Sequence, residues 1–153
     1  MLQIRKILVP IDFSPCSSKA TDYAVELAEA LGAHLTLLHI CSEPHLAPLP
    51  DAALGMEAVY ESWTKLLEMR RDSAIRSLAG ALAGYADRGV EMTYAIRDGH
   101  PAETTLELAR DDAFDLIVMG THGHTGLKHV FLGSVAERVV RLSNVPVLTV
   151  RLF

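Results

Sequence analysis

LIVMGTHGHTGLKHVFLGSVAERV, residues 116–139, passes from an apolar run through a glycine-rich stretch into a helical pattern. Leu116 to Met119 is short and continuously apolar, as expected of a strand covered on both faces. Val135, Val139 and Leu142 recur at helical spacing. Between them the backbone carries Gly120, Gly123, Gly126 and Gly133. Glycine permits positive φ and lets a ligand come against bare N–H groups, which is how loops before helices hold phosphate. Ser134 with Glu137 three places on reads as a capping box, so the N-terminal N–H groups of that helix are expected to point toward the loop. Spacing alone leaves a second option open: glycines that make only a tight turn and a serine that only caps a helix.

Working outward, the rest of the chain alternates strands with helices. KILVPI (6–11) is a buried strand between Arg5 and Asp12. Ala20, Tyr23, Ala24, Leu27, Ala28 and Leu31 then form a helical stripe, with Ser14-Pro15 to cap its start and Gly32 its end. Leu35 to Ile40 gives a second strand. The three prolines of SEPHLAPLPDAALG (42–55) mark a loop or lid. A long helix follows, begun before Trp63, with a stripe of Ala74, Leu78, Ala81, Leu82 and Tyr85 and an end near Gly84 or Gly89. VEMTYAI (90–96) alternates in the manner of an edge strand. Pro101 opens a helix carrying Ala102, Thr105, Leu106, Ala109 and Ala113 on one face. PVLTVRL (146–152) is the last strand.

Five strands alternating with helices imply an α/β fold: an open, doubly wound, five-stranded parallel sheet of Rossmann-like type, within a single domain spanning 1–153. The expected strand order is 3-2-1-4-5, which reverses between strands one and four. Ligands in such sheets sit beyond the carboxyl ends of the strands at that reversal, so Asp12 and the Gly120 segment are expected to face one crevice. The segment is neither of two familiar nucleotide motifs. GxxxxGK[ST] is absent, and Val9-Pro10-Ile11-Asp12 stands where a dinucleotide site would place GxGxxG.

Composition narrows the ligand class. The chain has 153 residues, 50% apolar and 22% charged, with a net charge of −5 and a pI near 5.8. No block of like charge invites nucleic acid or an anionic membrane, which leaves a small molecule or another protein as the expected partner. The N-terminus lacks a secretory pattern and no apolar stretch matches a bilayer, so a cytoplasmic location is expected. Cys16 and Cys41 are too few for a disulfide framework and suit a reducing compartment.

Gly120-x2-Gly123-x9-Gly133-Ser134 resembles the nucleotide signature of the ATP-binding branch of the universal stress protein family. The resemblance extends through KILVPIDFS, LTLLHI, RDGHPAETTLELA, DLIVMGTHGHTGL and LGSVAERVVRLSNVPVLTV, in order, and lapses only over about 42–75. It implies an ATP-binding regulatory protein of the stress response that works as a homodimer. It also implies roles by position. Asp12 would contact the ribose or adenine side, Pro10 and Ile11 would line the wall, and Ile40 and Met119 would pack against adenine. Gly120, Thr121, His122, Gly123, His124, Thr125 and Gly126 would wrap ribose and phosphates. Gly133, Ser134, Val135 and Ala136 would hold the outer phosphates, with a divalent ion such as Mg2+ or Mn2+ among the oxygens. Relatives commonly carry a basic residue where this chain has His124, so nucleotide affinity is expected to fall as pH rises through the histidine range unless Lys128 supplies the charge.

Other chemistries have less support in the residues. His122, His124 and His129 have no cysteine or carboxylate at a familiar ligand spacing, so no metal site is expected. Cys16 reads as core or, near a helix N-terminus, as a thiol of lowered pKa. The last strand is expected at a sheet edge, where pairing with a second copy would cover it. No carboxylate and arginine stand together in the glycine stretch to drive phosphoryl transfer, so no catalytic residue is assigned. A slow ATPase or adenylyl-transferring enzyme, and a protein-interaction module indifferent to nucleotide, are the alternatives.

Overall fold

A computed structural model describes residues 3–42, 55–122 and 132–152. The elements run β1 (Lys6–Pro10), α1 (Pro15–Leu31), β2 (His34–Cys41), α2 (Met56–Ala83), a 3-10 turn (Ala86–Arg88), β3 (Met92–Asp98), α3 (Pro101–Asp111), β4 (Leu116–Gly120), α4 (Ser134–Leu142) and β5 (Val147–Val150). The strands form a parallel sheet in the order β3-β2-β1-β4-β5. This is the expected α/β architecture, with the reversal at β1 and β4.

The centre of the sheet is covered on both sides because β1, β2 and β4 are mostly apolar, with Lys6, His34, Thr36 and His39 the exceptions, and strand side chains alternate between faces. Ile7, Val9, Leu35, Leu37 and Val118 go to one face, under Ala20, Ala24, Val25 and Ala28 of α1 and Ala74 and Leu78 of α2. Leu8, Leu38, Ile117 and Met119 go to the other, under Ala102, Leu108 and Ala109 of α3 and Ala136 and Val139 of α4.

Local chemistry sets the ends of α1. The Ser14 hydroxyl accepts from the Ser17 N–H at 3.2 Å, and Pro15 takes the first helical position, where its missing N–H leaves no bond unmade. Gly32 closes the helix at φ +62, a left-handed conformation that favours glycine. The buried face is turned from the expected stripe: Tyr23 and Leu31 are each 48% exposed, whereas Thr21 and Val25 are buried. The helix docks along its small Ala20-Ala24-Ala28 row, and that close approach draws in the neighbours on the Thr21 side. The 3-10 turn is tied back to α1 by polar contacts. Tyr85 donates to Asp22 at 2.6 Å, and Arg88 meets the two Glu29 carboxylate oxygens at 2.9 and 2.6 Å. Burial, then the Asp22 carboxylate, pushes the Tyr85 pKa up to about 12.

Three further details depart from the sequence reading. β3 begins two residues later than expected and continues to Asp98, and its Tyr94 is 42% exposed, because an edge strand paired only with β2 lacks a full cover. Ala113 lies past the end of α3 at φ +51, and Leu108 takes its place on the buried face. Leu142 is exposed at the end of α4, leaving Ala136 and Val139 as that helix's buried residues.

Leu78 is fully buried where α2 meets the sheet. Leu78→Ala is expected to lower unfolding free energy by about 2–5 kcal/mol, read as a fall in urea midpoint at constant slope. Tyr60→Ala, on an exposed turn of the same helix, should change it by less than about 0.5 kcal/mol.

Candidate functional site

Where strand order reverses, the chain leaves β1 for α1 on one face and β4 for α4 on the other, and a crevice opens between the two departures. It holds a cavity of about 280 Å³. Pro10, Ile11 and Asp12 line it from the end of β1, and Ile40 lines it from β2. Met119, Gly120, Thr121 and His122 line it from β4, and Gly133, Ser134, Val135 and Ala136 from the start of α4.

On the β1 side the backbone is closely specified. The Ile11 N–H donates to Leu38 O at 2.8 Å. The Ile11 carbonyl accepts from His39 Nδ1 at 3.0 Å. Asp12 Oδ1 accepts from the Ser14 N–H at 3.0 Å, closing a turn. Along β2, His34 and Leu38 bond toward β1, whereas Leu35 and Cys41 bond toward the β3 side. Strand alternation therefore turns the N–H and C=O of Ile40 toward β1, which has already ended at Pro10. A donor and an acceptor are left facing the crevice.

The β4 side depends on two glycines whose role is close approach. A Cβ on Gly120 would stand 2.9 Å from Cys16 Sγ and 3.0–3.1 Å from the Cys16 backbone. Its missing side chain is what lets the end of β4 lie on the first turn of α1. A Cβ on Gly133 would stand 3.0 Å from Thr121 O, the atom that accepts the Gly133 N–H at 2.6 Å. Thr121 is buried. Its N–H donates to Val150 O at 3.0 Å, and its hydroxyl meets His122 Nδ1 at 2.8 Å.

The expected capping box does not form. Gly133, extended at φ −68 and ψ 160, is the N-cap, and Ser134 is the first helical residue with no side-chain cap. The Glu137 N–H donates to Gly133 O at 2.8 Å, and the Glu137 carboxylate pairs with Arg141 at 3.3 Å. The cap position passes so close to Thr121 that a Cβ there would crowd the Thr121 carbonyl, and Ser134 stands one place into the helix. The consequence favours a ligand: among the described residues no side chain caps the helix that begins with the N–H groups of Ser134, Val135 and Ala136.

The crevice thus gathers every described residue that the sequence assigned to the site. Gly123, His124, Thr125 and Gly126 lie outside the described residues, as do Lys128, His129 and the 43–54 stretch. Cys16 is a packing residue, buried with its thiol on Val150 O at 3.4 Å. Burial pushes the Cys41 thiol pKa up. Among the described residues no group of three or more His, Cys, Asp or Glu side chains is placed to hold a metal ion, and no helix is long and apolar enough to cross a membrane. Sequence reasoning missed His39 and Ser42 at the end of β2 and Pro101 and Thr105 of α3. Their signal was positional, since every loop following a strand of this parallel sheet opens on the same edge.

Comparison with known proteins gives a consistent picture. The model of the universal stress protein family matches residues 3–151. Universal stress protein YxiE of Bacillus subtilis is 36% identical over 148 residues, covering 95% of this chain and 98% of its own. The structure of MJ0577, a universal stress protein of Methanocaldococcus jannaschii, superposes with a TM-score of 0.79 at 30% identity, over 97% of this chain and 96% of that one. The same fold recurs in a universal stress protein in complex with cAMP, at 22% identity and a TM-score of 0.64 over 96% of this chain and 97% of that one. It recurs again in one from Archaeoglobus fulgidus with dAMP, at 19% and 0.61 over 98% and 99%.

Gly120→Ala is expected to destabilise the fold by about 1–3 kcal/mol in chemical denaturation, because β4 and α1 must part to admit the methyl group. Gly80→Ala is the control: a Cβ there meets nothing within 4 Å, and the change should stabilise α2 by up to about 1 kcal/mol.

Proposed function

The chain belongs to the universal stress protein family, and on that premise we propose that it is a cytoplasmic regulatory module of the stress response. In this reading it holds ATP, with Mg2+ or Mn2+, in the crevice between β1 and β4 and acts as a homodimer. The observation that carries it is the pair of backbone sites, at the two ends of the crevice, that find no partner among the described residues. Ile40 offers a donor and an acceptor suited to the edge of a base, and Ser134, Val135 and Ala136 offer three N–H groups at the positive end of a helix dipole. An adenine nucleotide has the matching polarity, a flat hydrogen-bonding base at one end and anionic oxygens at the other. Two proteins of the same fold carry cAMP and dAMP, which makes adenine nucleotides the ligand class to test first.

The remaining roles follow from position. Asp12, at the β1 turn, is placed for the ribose or the adenine side. Pro10, Ile11 and Met119 supply apolar wall. Gly120, Thr121 and His122 continue toward the phosphates, and the roles given to Gly123, His124, Thr125 and Gly126 complete that wrap. A divalent ion would offset phosphate charge that backbone amides only partly neutralise. Signal would leave through the dimer, to which β5 contributes an open sheet edge carrying exposed Leu148. Exposed Val140 and Leu142 lie nearby on α4.

Purified protein incubated with labelled ATP should retain intact nucleotide. Release of labelled product would instead support the slow-enzyme alternative, and neither retention nor release would support the interaction-module alternative. Ser134→Pro tests the phosphate end without disturbing the helix, because proline is favoured at the first helical position and the preceding residue is already extended. Removing that one N–H should weaken ATP binding about tenfold or more in titration calorimetry, with stability unchanged.

The dimer has its own test. Pro146 and Val150 turn their carbonyls toward β4, so alternation turns the N–H of Thr149 outward. Thr149→Pro should leave the β4 pairing intact and shift the mass measured by light scattering from about twice 16.7 kDa to 16.7 kDa.

A further inference from the structure

The turn from β1 into α1 contains a conformation that needs support. Phe13 sits at φ +63, a left-handed region that bulky side chains seldom adopt. His39, one strand away on β2, holds the residues on both sides of Asp12. Its Nδ1 bonds to Ile11 O at 3.0 Å, and its ring lies 4.7 Å from the Phe13 ring, tilted by 36°. A carbonyl oxygen only accepts, so Nδ1 carries the proton and the neutral ring is fixed as the Nδ1–H tautomer. Ile11 is then engaged through its N–H by Leu38 and through its carbonyl by His39. Between these clamped neighbours, the Asp12 carboxylate keeps one oxygen on the Ser14 N–H and lines the crevice.

We propose that His39 is a positioning residue for nucleotide binding, presetting the Asp12 carboxylate by holding the Ile11 carbonyl and the Phe13 ring. The inference rests on the reading of the crevice as an adenine-nucleotide site. Presetting matters because a carboxylate that must be ordered at the moment of binding loses part of its contribution to the entropy of ordering. His39 acts through Asp12 in this account, so its effect on affinity disappears when Asp12 no longer carries its charge.

The test measures ATP affinity by calorimetry in wild type, His39→Phe, His39→Asn, Asp12→Asn and the His39→Phe/Asp12→Asn double variant. Phenylalanine keeps a ring against Phe13 and loses the donor, whereas asparagine keeps a donor near Nδ1 and loses the ring. His39→Phe should weaken binding about tenfold, the scale of one lost hydrogen bond, and His39→Asn should recover most of that. In the Asp12→Asn background His39→Phe should add nothing further. Imidazole nitrogen NMR of the wild type should show Nδ1 protonated and Nε2 bare, a readout that survives any folding failure of the variants. Wild-type affinity in His39→Phe, a full additional loss in the double variant, or an Nε2–H tautomer would overturn the proposal while leaving the nucleotide site standing. Wild type that fails to retain ATP would overturn the nucleotide reading, and this proposal with it.

Discussion

The structure depends on a close approach of backbones around Thr121. The end of β4, the first turn of α1 and the start of α4 meet there, with Cys16 against Gly120 and the Thr121 carbonyl against Gly133. Hydrogen bonds join the same residue to β5 on one side and to the α4 cap on the other. Two glycines meet the constraint by having no Cβ, and a side chain at either place would crowd the neighbouring backbone and require it to give. The crevice exists because this junction fixes where α4 begins relative to the strand ends.

Fixing that starting point has an electrostatic consequence. A helix whose cap position is a glycine held by a neighbouring carbonyl has no serine or aspartate side chain folded over its first turn. Among the described residues no side chain covers its first N–H groups, and a ligand with negative charge is the natural complement. At the other end, the early departure of β1 leaves Ile40 without its strand neighbour. Both features are interrupted secondary structure: a strand that ends before its partner and a helix that starts without a side-chain cap. A crevice built from backbone in this way tolerates much change in side chains, which fits a fold shared with a protein 30% identical to this chain.

Much of the fold could be read from the sequence because its signals are local. Ser14-Pro15 and Gly32 mark the ends of α1 by capping chemistry alone, and the apolar runs of β1 and β4 with the mostly apolar β2 announce a sheet covered on both faces. The crevice is legible because parallel topology puts all the strand-following loops on one edge, which brings Asp12 and Gly120 together. Effects that depend on which residues touch were not legible. Gly120 reads as a ligand-facing glycine until Cys16 is found against it, and Ser134 reads as a cap until Thr121 is found occupying the space beside Gly133. Periodicity puts Tyr23 on the buried face of α1, but the alanine row decides how the helix docks. The contact made by His39 is not legible for the same reason: its place at the end of β2 can be read, but nothing in LTLLHI tells that its ring reaches across to the β1 turn.

The central claim is that one ligand spans the two interrupted elements, and amide NMR of the isotope-labelled protein titrated with ATP tests it directly. The account predicts that the signals of Ile40 and of Ser134, Val135 and Ala136 shift together and saturate along a single binding curve, while those of the far ends of the strands, such as Lys6 and Leu116, stay in place. Signals at Ile40 and at the start of α4 that remain unmoved, or that follow separate curves, would contradict it.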